Sequence, residues 1–311
     1  MNGRHSTRTP LHSPTQEARS RRSTRGGSGI AQRAATILFL TLLLAPPAVV
    51  ARGGEDEDGP LKDEPAKQRL EIMRKAIDDF HLRPLQSEST ETMKFRKESL
   101  LRYDDKTRPG DGGAQALLDA TAWRLGEAGR PLAIVTLEIY PLRKATAVMT
   151  YEFVSLSPLA FEMKNSRGVI WTPSGTELMM APLPEAPEPA DTKRSRLAQM
   201  RQLARRFTAQ AEWRGEKIEC RLLAQPIDRY DDEAAGIIDG AVFVFANGTN
   251  PEMGLLLECS DKFWSYGVFR LTAATLCAQF DGKSFDLPSK RAGNPVEAPT
   301  TSTRLSIDLP E

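Results

Sequence analysis

Proton transfer near neutral pH most often rests on histidine, and this chain of 311 residues has three: His5, His12 and His81. The first two stand in a segment read below as an export signal. His81 follows the first amphipathic helix in a Leu/Pro setting that suits a surface histidine, so any triad or histidine-bearing metal site would have to be built on it alone. Carboxylates remain. Asp104-Asp105 and Asp231-Asp232, with Asp111, Asp239, Glu138 and Glu258, could supply acid and base for sugar hydrolysis, or oxygen ligands for calcium. Their spacing fits no calcium loop, and turns and strand ends account for paired aspartates equally well. No glycine-rich loop follows a strand and opens a helix as a phosphate cradle requires. Accordingly no catalytic residue, metal ligand or cofactor is assigned.

Cys220, Cys259 and Cys277 all fall in the C-terminal half, and an odd count in an exported chain allows one bridge at most, with three pairings open. In the internal alignment described below, Cys220 and Cys259 fall opposite the apolar Met93 and Ile139, whereas Cys277 falls opposite Glu162. The first two are therefore expected at core positions as small hydrophobes, and they are also the candidate disulfide pair. A thiol nucleophile would need an adjacent base, and histidine is too scarce to provide one.

With 42 basic and 41 acidic side chains and 40% hydrophobic residues, the composition is that of globular material. The charge is unevenly placed. Residues 1–33 hold seven arginines against Glu17 and lead into the apolar run 34–45, shorter than the roughly 20 residues of a membrane-spanning helix. This is the pattern of a secretory signal, with cleavage expected after Ala51; an uncut signal anchor is the competing reading and the single route to a membrane. Arg21-Arg22 matches a twin-arginine signal weakly, because Ser23-Thr24 stands where apolar residues belong. Losing residues 1–51 removes seven positive charges and one negative, turning a net +1 into −5, which argues against nucleic acid as a partner. The expected compartment is periplasm, cell envelope or exterior.

The elements that must position these residues show an internal echo. After a linker over 52–65, a helix is predicted from Ala66 to Phe80 with Leu70, Met73, Ile77 and Phe80 on one face. A second is predicted from Lys193 to Ala211, after a Pro-rich connector over 174–192, with Leu197, Met200, Ala204 and Phe207 as its stripe. Arg69, Leu70, Met73, Arg74 and Phe80 recur 127 positions later, as does Arg102-Tyr-Asp-Asp105 in Arg229-Tyr-Asp-Asp232. Asp119 to Pro131 lies over Asp239 to Pro251 without gaps, and Leu137-Glu138 over Leu257-Glu258. Strands are predicted over 93–103, 121–125, 132–140, 146–156, 159–164 and 169–172, then over 217–223, 241–245, 254–259, 265–271, 275–280 and 284–287. Gly126 to Pro131 and Asn247 to Pro251 read as hairpin turns. The expected fold is α+β: two related units, over 66–173 and 193–288, each one amphipathic helix plus a curved antiparallel sheet, followed by a tail over 289–311 that is loose apart from an edge strand at Arg304 to Leu309.

The segments Arg196 to Phe207, Gln225 to Tyr230 and Asp239 to Glu252 resemble those of a group of exported planctomycete proteins of unknown function, over most of the mature chain. The resemblance implies a compartment and a lineage and contributes no site. The first half departs from that pattern, with Ala120 where Gly240 stands and an Ala-rich insertion near Ala114.

Two functions are compatible with these features. One is an exported, non-enzymatic binding or structural protein, whose partner would be envelope polysaccharide or another envelope protein. Lys193, Arg194, Arg196, Arg201, Arg205 and Arg206 on the second helix could meet a polyanion, or could simply pair with nearby acids. The other is an envelope hydrolase using Asp231 and Asp232 at the boundary between the units.

Overall fold

The computed structural model describes residues 64–85, 93–105, 117–143, 146–176, 178–213, 215–272, 274–287, 296–298 and 300–309. The signal expected over 1–51, most of the linker after it, and Asp111 lie outside the described residues. Among the described residues no helix is long and apolar enough to cross a membrane.

Helix α1 (Glu64–Asp78) leads into β1 (His81–Pro84), β2 (Leu101–Asp105), β3 (Leu117–Leu125), β4 (Ala133–Arg143) and β5 (Thr146–Ser155). Next come β6 (Phe161–Asn165), β7 (Gly168–Trp171) and β8 (Ala181–Pro182), then helix α2 (Lys193–Ala204). The chain continues through β9 (Phe207–Trp213), β10 (Glu216–Leu222), β11 (Asp228–Asp232), β12 (Ile237–Asn247), β13 (Asn250–Cys259) and β14 (Trp264–Arg270). It closes with β15 (Thr275–Phe280), β16 (Lys283–Leu287) and β17 (Thr300–Asp308).

These strands form three antiparallel sheets, of order β1-β6-β7, β17-β5-β4-β3-β2 and β16-β15-β9-β10-β12-β13-β14-β8, with β11 also on β12. The largest curls into a half-barrel: Tyr266 of β14 and Phe280 of β15 stack at 5.6 Å although four strands separate them. Helix α2 fills the concave side. Thr192 caps it by accepting from the Ser195 amide at 3.1 Å, and Met200, Leu203 and Ala204 pack among Phe243, Phe245, Leu255 and Leu257. The five-stranded sheet is covered by Met73 and Ile77 of α1 and by the small sheet, whose Trp171 meets Phe153 while Phe161 packs edge-on against Trp171.

The remaining faces of the five- and nine-stranded sheets pack on each other through Ile134, Val154, Val242, Val244, Leu256 and Phe269. This explains the uninterrupted apolar runs of β12 and β13. Odd-numbered residues from Ala241 to Phe245 face α2, and Val242, Val244 and Ala246 face the other sheet, so both faces are buried.

The expectation of an α+β fold made of two repeated units is overturned. Strands hold 55% of the described residues and helices 13%, and a five-stranded sheet with a separate three-stranded one does not match a nine-stranded half-barrel. Part of the error lies at residue 205. Helix α2 stops at Ala204, capped by Arg205, and 207–213 forms β9 between β10 and β15. Phe207 continued the helical stripe by its spacing, but Phe207, Ala209 and Ala211 alternate with polar residues and are buried every second position, the period of a strand. The edge strand expected at Arg304 to Leu309 is present as β17, which starts earlier, at Thr300, and pairs with β5 over nine residues.

Candidate functional site

The ionised chemistry of the molecule concentrates where helices meet sheets and where the two large sheets meet each other. At the first helix, Arg69 of α1 and Arg102 of β2 both hold Asp119 of β3, at 3.0 Å and at 2.8 and 2.5 Å, and Arg102 donates back to the Ala66 carbonyl at 2.7 Å. At the second, Arg196 of α2 and Arg229 of β11 hold Asp239 of β12, at 2.9 Å and at 2.9 and 2.6 Å, and Arg229 donates to the Lys193 carbonyl. Arg196 adds the carbonyls of Ala190 and Asp191. Both aspartates are buried, and each fixes the first turn of a helix on its sheet. These constellations are the structural content of the internal echo, with the arginines 127 residues apart and the aspartates 120: a recurring local device, set in sheets of unequal size.

Across the seam between the sheets, Asp228 of β11 is completely buried and bridges Arg124 of β3, itself completely buried, at 2.5 Å and Arg96 at 2.7 Å. Arg124 also donates to the carbonyls of Ala128 and Gly129 and lies over the Tyr230 ring at 5.9 Å. Burial pulls the Arg124 guanidinium below its ordinary value, against the opposing pull of Asp228. Close by, Arg130 from the β3–β4 turn grips Glu258 of β13 through two bonds of 2.7 and 2.6 Å, and the Tyr230 hydroxyl donates to the same carboxylate at 2.7 Å. Burial, reinforced by Glu258, pushes Tyr230 well above the usual phenol range. The turn fits tightly. Gly129 has φ +65°, and a Cβ there would stand 2.6 Å from Asp232 Oδ2.

At the other end of the seam the Tyr103 hydroxyl donates to Glu138 of β4 at 3.0 Å, and Tyr140 donates at 2.7 Å. Glu152 of β5 is half-buried on the same face, and Glu252 of β13 approaches it from the opposing sheet. Arg304 of β17 acts on Glu152 from the neighbouring edge strand.

The residues singled out from sequence occupy different places. Asp231 is exposed and paired with Lys193 at 2.6 Å, which holds its carboxyl below the usual range. Asp232 accepts from the Ala235 amide in a turn. The β11–β12 ladder is bulged between Tyr230 and Asp232. Asp239, Glu138 and Glu258 are bound by arginines or tyrosines as described, and Asp104 lends its carbonyl to the Thr249 hydroxyl. His81 is exposed at the start of β1, opposite Lys164.

Among the described residues Cys220, Cys259 and Cys277 form no disulfide. Cys259 lies opposite Asp239 on β12, whereas β10 meets β12 at Leu222–Phe245, with Cys220 further out still. Six residues of strand separate the two levels, about 20 Å at ~3.3 Å per residue, far beyond the ~7 Å Cα limit of a disulfide. Both sit at buried positions, and burial with Asp239 nearby pushes the Cys259 thiol up to about 12.

The basic face of α2 is largely engaged. Lys193 and Arg196 pair with Asp231 and Asp239, Arg206 pairs with Asp281 and covers the Phe280 ring, and Arg201 donates to Gln225. Among the described residues no group of three His, Cys, Asp or Glu side chains is placed to hold a metal ion.

Sequence reasoning missed Arg124, Asp228, Arg96, Arg130, Glu152 and Glu252. One signal was available: Arg124 stands in the otherwise apolar end of Leu117-Leu-Asp-Ala-Thr-Ala-Trp-Arg-Leu125, where a strand buried on both faces can keep a cation only against an acid.

Neither a protein-family model nor a curated protein matches the chain. Among solved structures it is similar to a GH36 alpha-galactosidase from Geobacillus stearothermophilus in complex with raffinose, at a TM-score of 0.20 and 10% identity. The match covers 74% of this chain and 30% of the enzyme, so the chain spans less than a third of that protein's length. A likeness of this degree carries no argument about fold or activity.

Proposed function

We propose that the chain is an exported, non-enzymatic binding or structural module that works in the periplasm, cell envelope or exterior, with envelope polysaccharide or another envelope protein as its partner. The observation that carries this reading is the commitment of the buried charges to holding elements together. Asp119, Asp239, Asp228 and Glu258 are each gripped by arginine from another element, at distances of 2.5 to 3.0 Å. A carboxylate gripped in this way has little freedom to approach a scissile bond, which makes it a good fastener and a poor participant in catalysis.

Native mass spectrometry of the protein isolated from its own envelope tests the reading, with a retained glycan or companion protein as the expected result. Clear turnover of any substrate, lost in both Asp231→Asn and Asp232→Asn while the variants stay folded, would replace it with the hydrolase reading.

A further inference from the structure

The chain has five asparagines, of which Asn165, Asn247 and Asn250 are described. The Cγ of an asparagine carboxamide can be attacked by the backbone nitrogen of the next residue. That nitrogen must carry a proton it can lose, stand outside a hydrogen bond, and have no side chain crowding its approach.

The three asparagines differ in these respects. Asn250 precedes Pro251, which has no N–H. Asn165 precedes Ser166, whose amide already donates to Asp79 at 3.2 Å, and the Asn165 carboxamide oxygen accepts from the Arg167 amide at 2.9 Å. Asn247 precedes Gly248, which has no Cβ and a φ of +61°. Gly248 and Thr249 are the exposed two-residue loop of the β12–β13 hairpin, closed by the pair Asn247↔Asn250. Such a loop leaves the amide of its first residue outside the ladder. Among the described residues neither the Gly248 amide nor the Asn247 carboxamide has a hydrogen-bond partner. Only the last rung has to open for the Asn247 backbone to rotate, and the ladder beneath it is already irregular, with a register shift between Phe245 and Ala246.

A second glycine turn shows a protected counterpart. Asp281-Gly282 joins β15 to β16 at φ +47° and +76°, but Arg206 holds both oxygens of Asp281, at 3.0 and 2.5 Å. That grip keeps the carboxyl ionised, below its usual range, and an ionised carboxylate is a poor electrophile.

We propose that Asn247-Gly248 is a self-modification site, at which the folded chain converts Asn247 through a cyclic imide into aspartate and isoaspartate. The Gly248 nitrogen bonds to Asn247 Cγ, the Cγ–Nδ2 bond breaks, and the amide proton leaves with the amino group as ammonia. Water then opens the ring. Cleavage at the Cγ–N bond yields aspartate, and cleavage at the backbone C–N bond yields isoaspartate, with one more carbon in the main chain. Either product brings a negative charge to a tip where Arg221 already donates to the Gly248 carbonyl at 3.4 Å. Isoaspartate also lengthens a turn that is tied to β2 through the Thr249 hydroxyl on the Asp104 carbonyl.

The test is incubation of the folded full chain from about pH 7 to about pH 9, followed by peptide mass spectrometry. A hydroxyl should replace the amino group at Asn247, as both isomers, at a rate that rises about tenfold per pH unit because the amide proton must leave first. Asn250, in the same turn, should change at least about tenfold more slowly, for want of an N–H on Pro251. Gly248→Ala sets a Cβ beside the attacking nitrogen and should slow Asn247 severalfold; the parent chain decides the matter if that variant does not fold. An Asn247 amide that survives in the folded chain and is lost only in guanidinium chloride would overturn the proposal, since the hairpin would then protect the site. A glycan on Asn247, or equal loss at Asn250, would overturn it as well.

Discussion

Replacing Arg124 by methionine removes the buried cation at the centre of the seam while keeping most of its apolar volume. Asp228, with no exposed side-chain surface, would retain Arg96 as its ionic partner, and the side chain of Arg96 is 32% exposed. The carbonyls of Ala128 and Gly129 would lose their donor as well. Removing one member of a buried ion pair costs about 3–5 kcal/mol, because the charge left behind stays desolvated. At about 2–4 °C per kcal/mol for a domain of 150–250 residues, the melting temperature should fall by about 6–20 °C. Calorimetry on Arg124→Met, Asp228→Val and the double variant resolves the origin of the loss. The double variant should recover much of it, since apolar side chains of similar size often replace a buried pair at little cost. A single-variant loss below about 1 kcal/mol, in the range of exposed pairs, would refute the assignment of the seam as a charged fastener, as would a double variant no better than the single.

Three further outcomes are expected. Gly254→Ala would set a Cβ 2.0 Å from the ring of the fully buried Phe269, so it should destabilise by at least the ~1–3 kcal/mol of an overpacked core, measured by urea unfolding. Native labelling with a thiol reagent at pH 8 should modify the half-buried Cys277 before Cys259, whose thiol is held up to about 12, and Cys259 should react at the rate of unfolding. Thr192→Ala removes the cap of α2 and should cost about 1 kcal/mol by thermal melting, whereas Asp231→Asn, at an exposed pair, should leave the melting temperature unchanged.

The strands were legible where local pattern and turn chemistry agree. The two hairpins, β3–β4 and β12–β13, lie where Gly126 to Pro131 and Asn247 to Pro251 place them, with Gly126, Gly129 and Gly248 at positive φ. Helix α1 needed only its stripe. The end of α2 was hidden because Phe207 satisfies both a helical and a strand period, and the pairing of β9 with β15 that decides between them lies some seventy residues away. The seam was hidden for the same reason on a larger scale. Arg96 and Arg124 meet Asp228 across 132 and 104 residues, and Arg130 meets Glu258 across 128. Single-chain periodicity reports which face of an element is apolar and says nothing about which distant charge will lie against it.

The strand β17 joins the sheet of β5 after the whole nine-stranded half-barrel has intervened, and Trp171 and Thr172 likewise wait for the carbonyls of Ala298 and Val296. During synthesis the outer rim of β5 therefore stays bare, its backbone donors and acceptors open to any passing strand, until residues 300–308 emerge. Loop closure over so long a span is slow, so the nascent chain carries a sticky flank through most of its assembly. A helper that shields that flank, or a clipped chain ending before residue 300, would decide between a completed sheet and a misjoined aggregate.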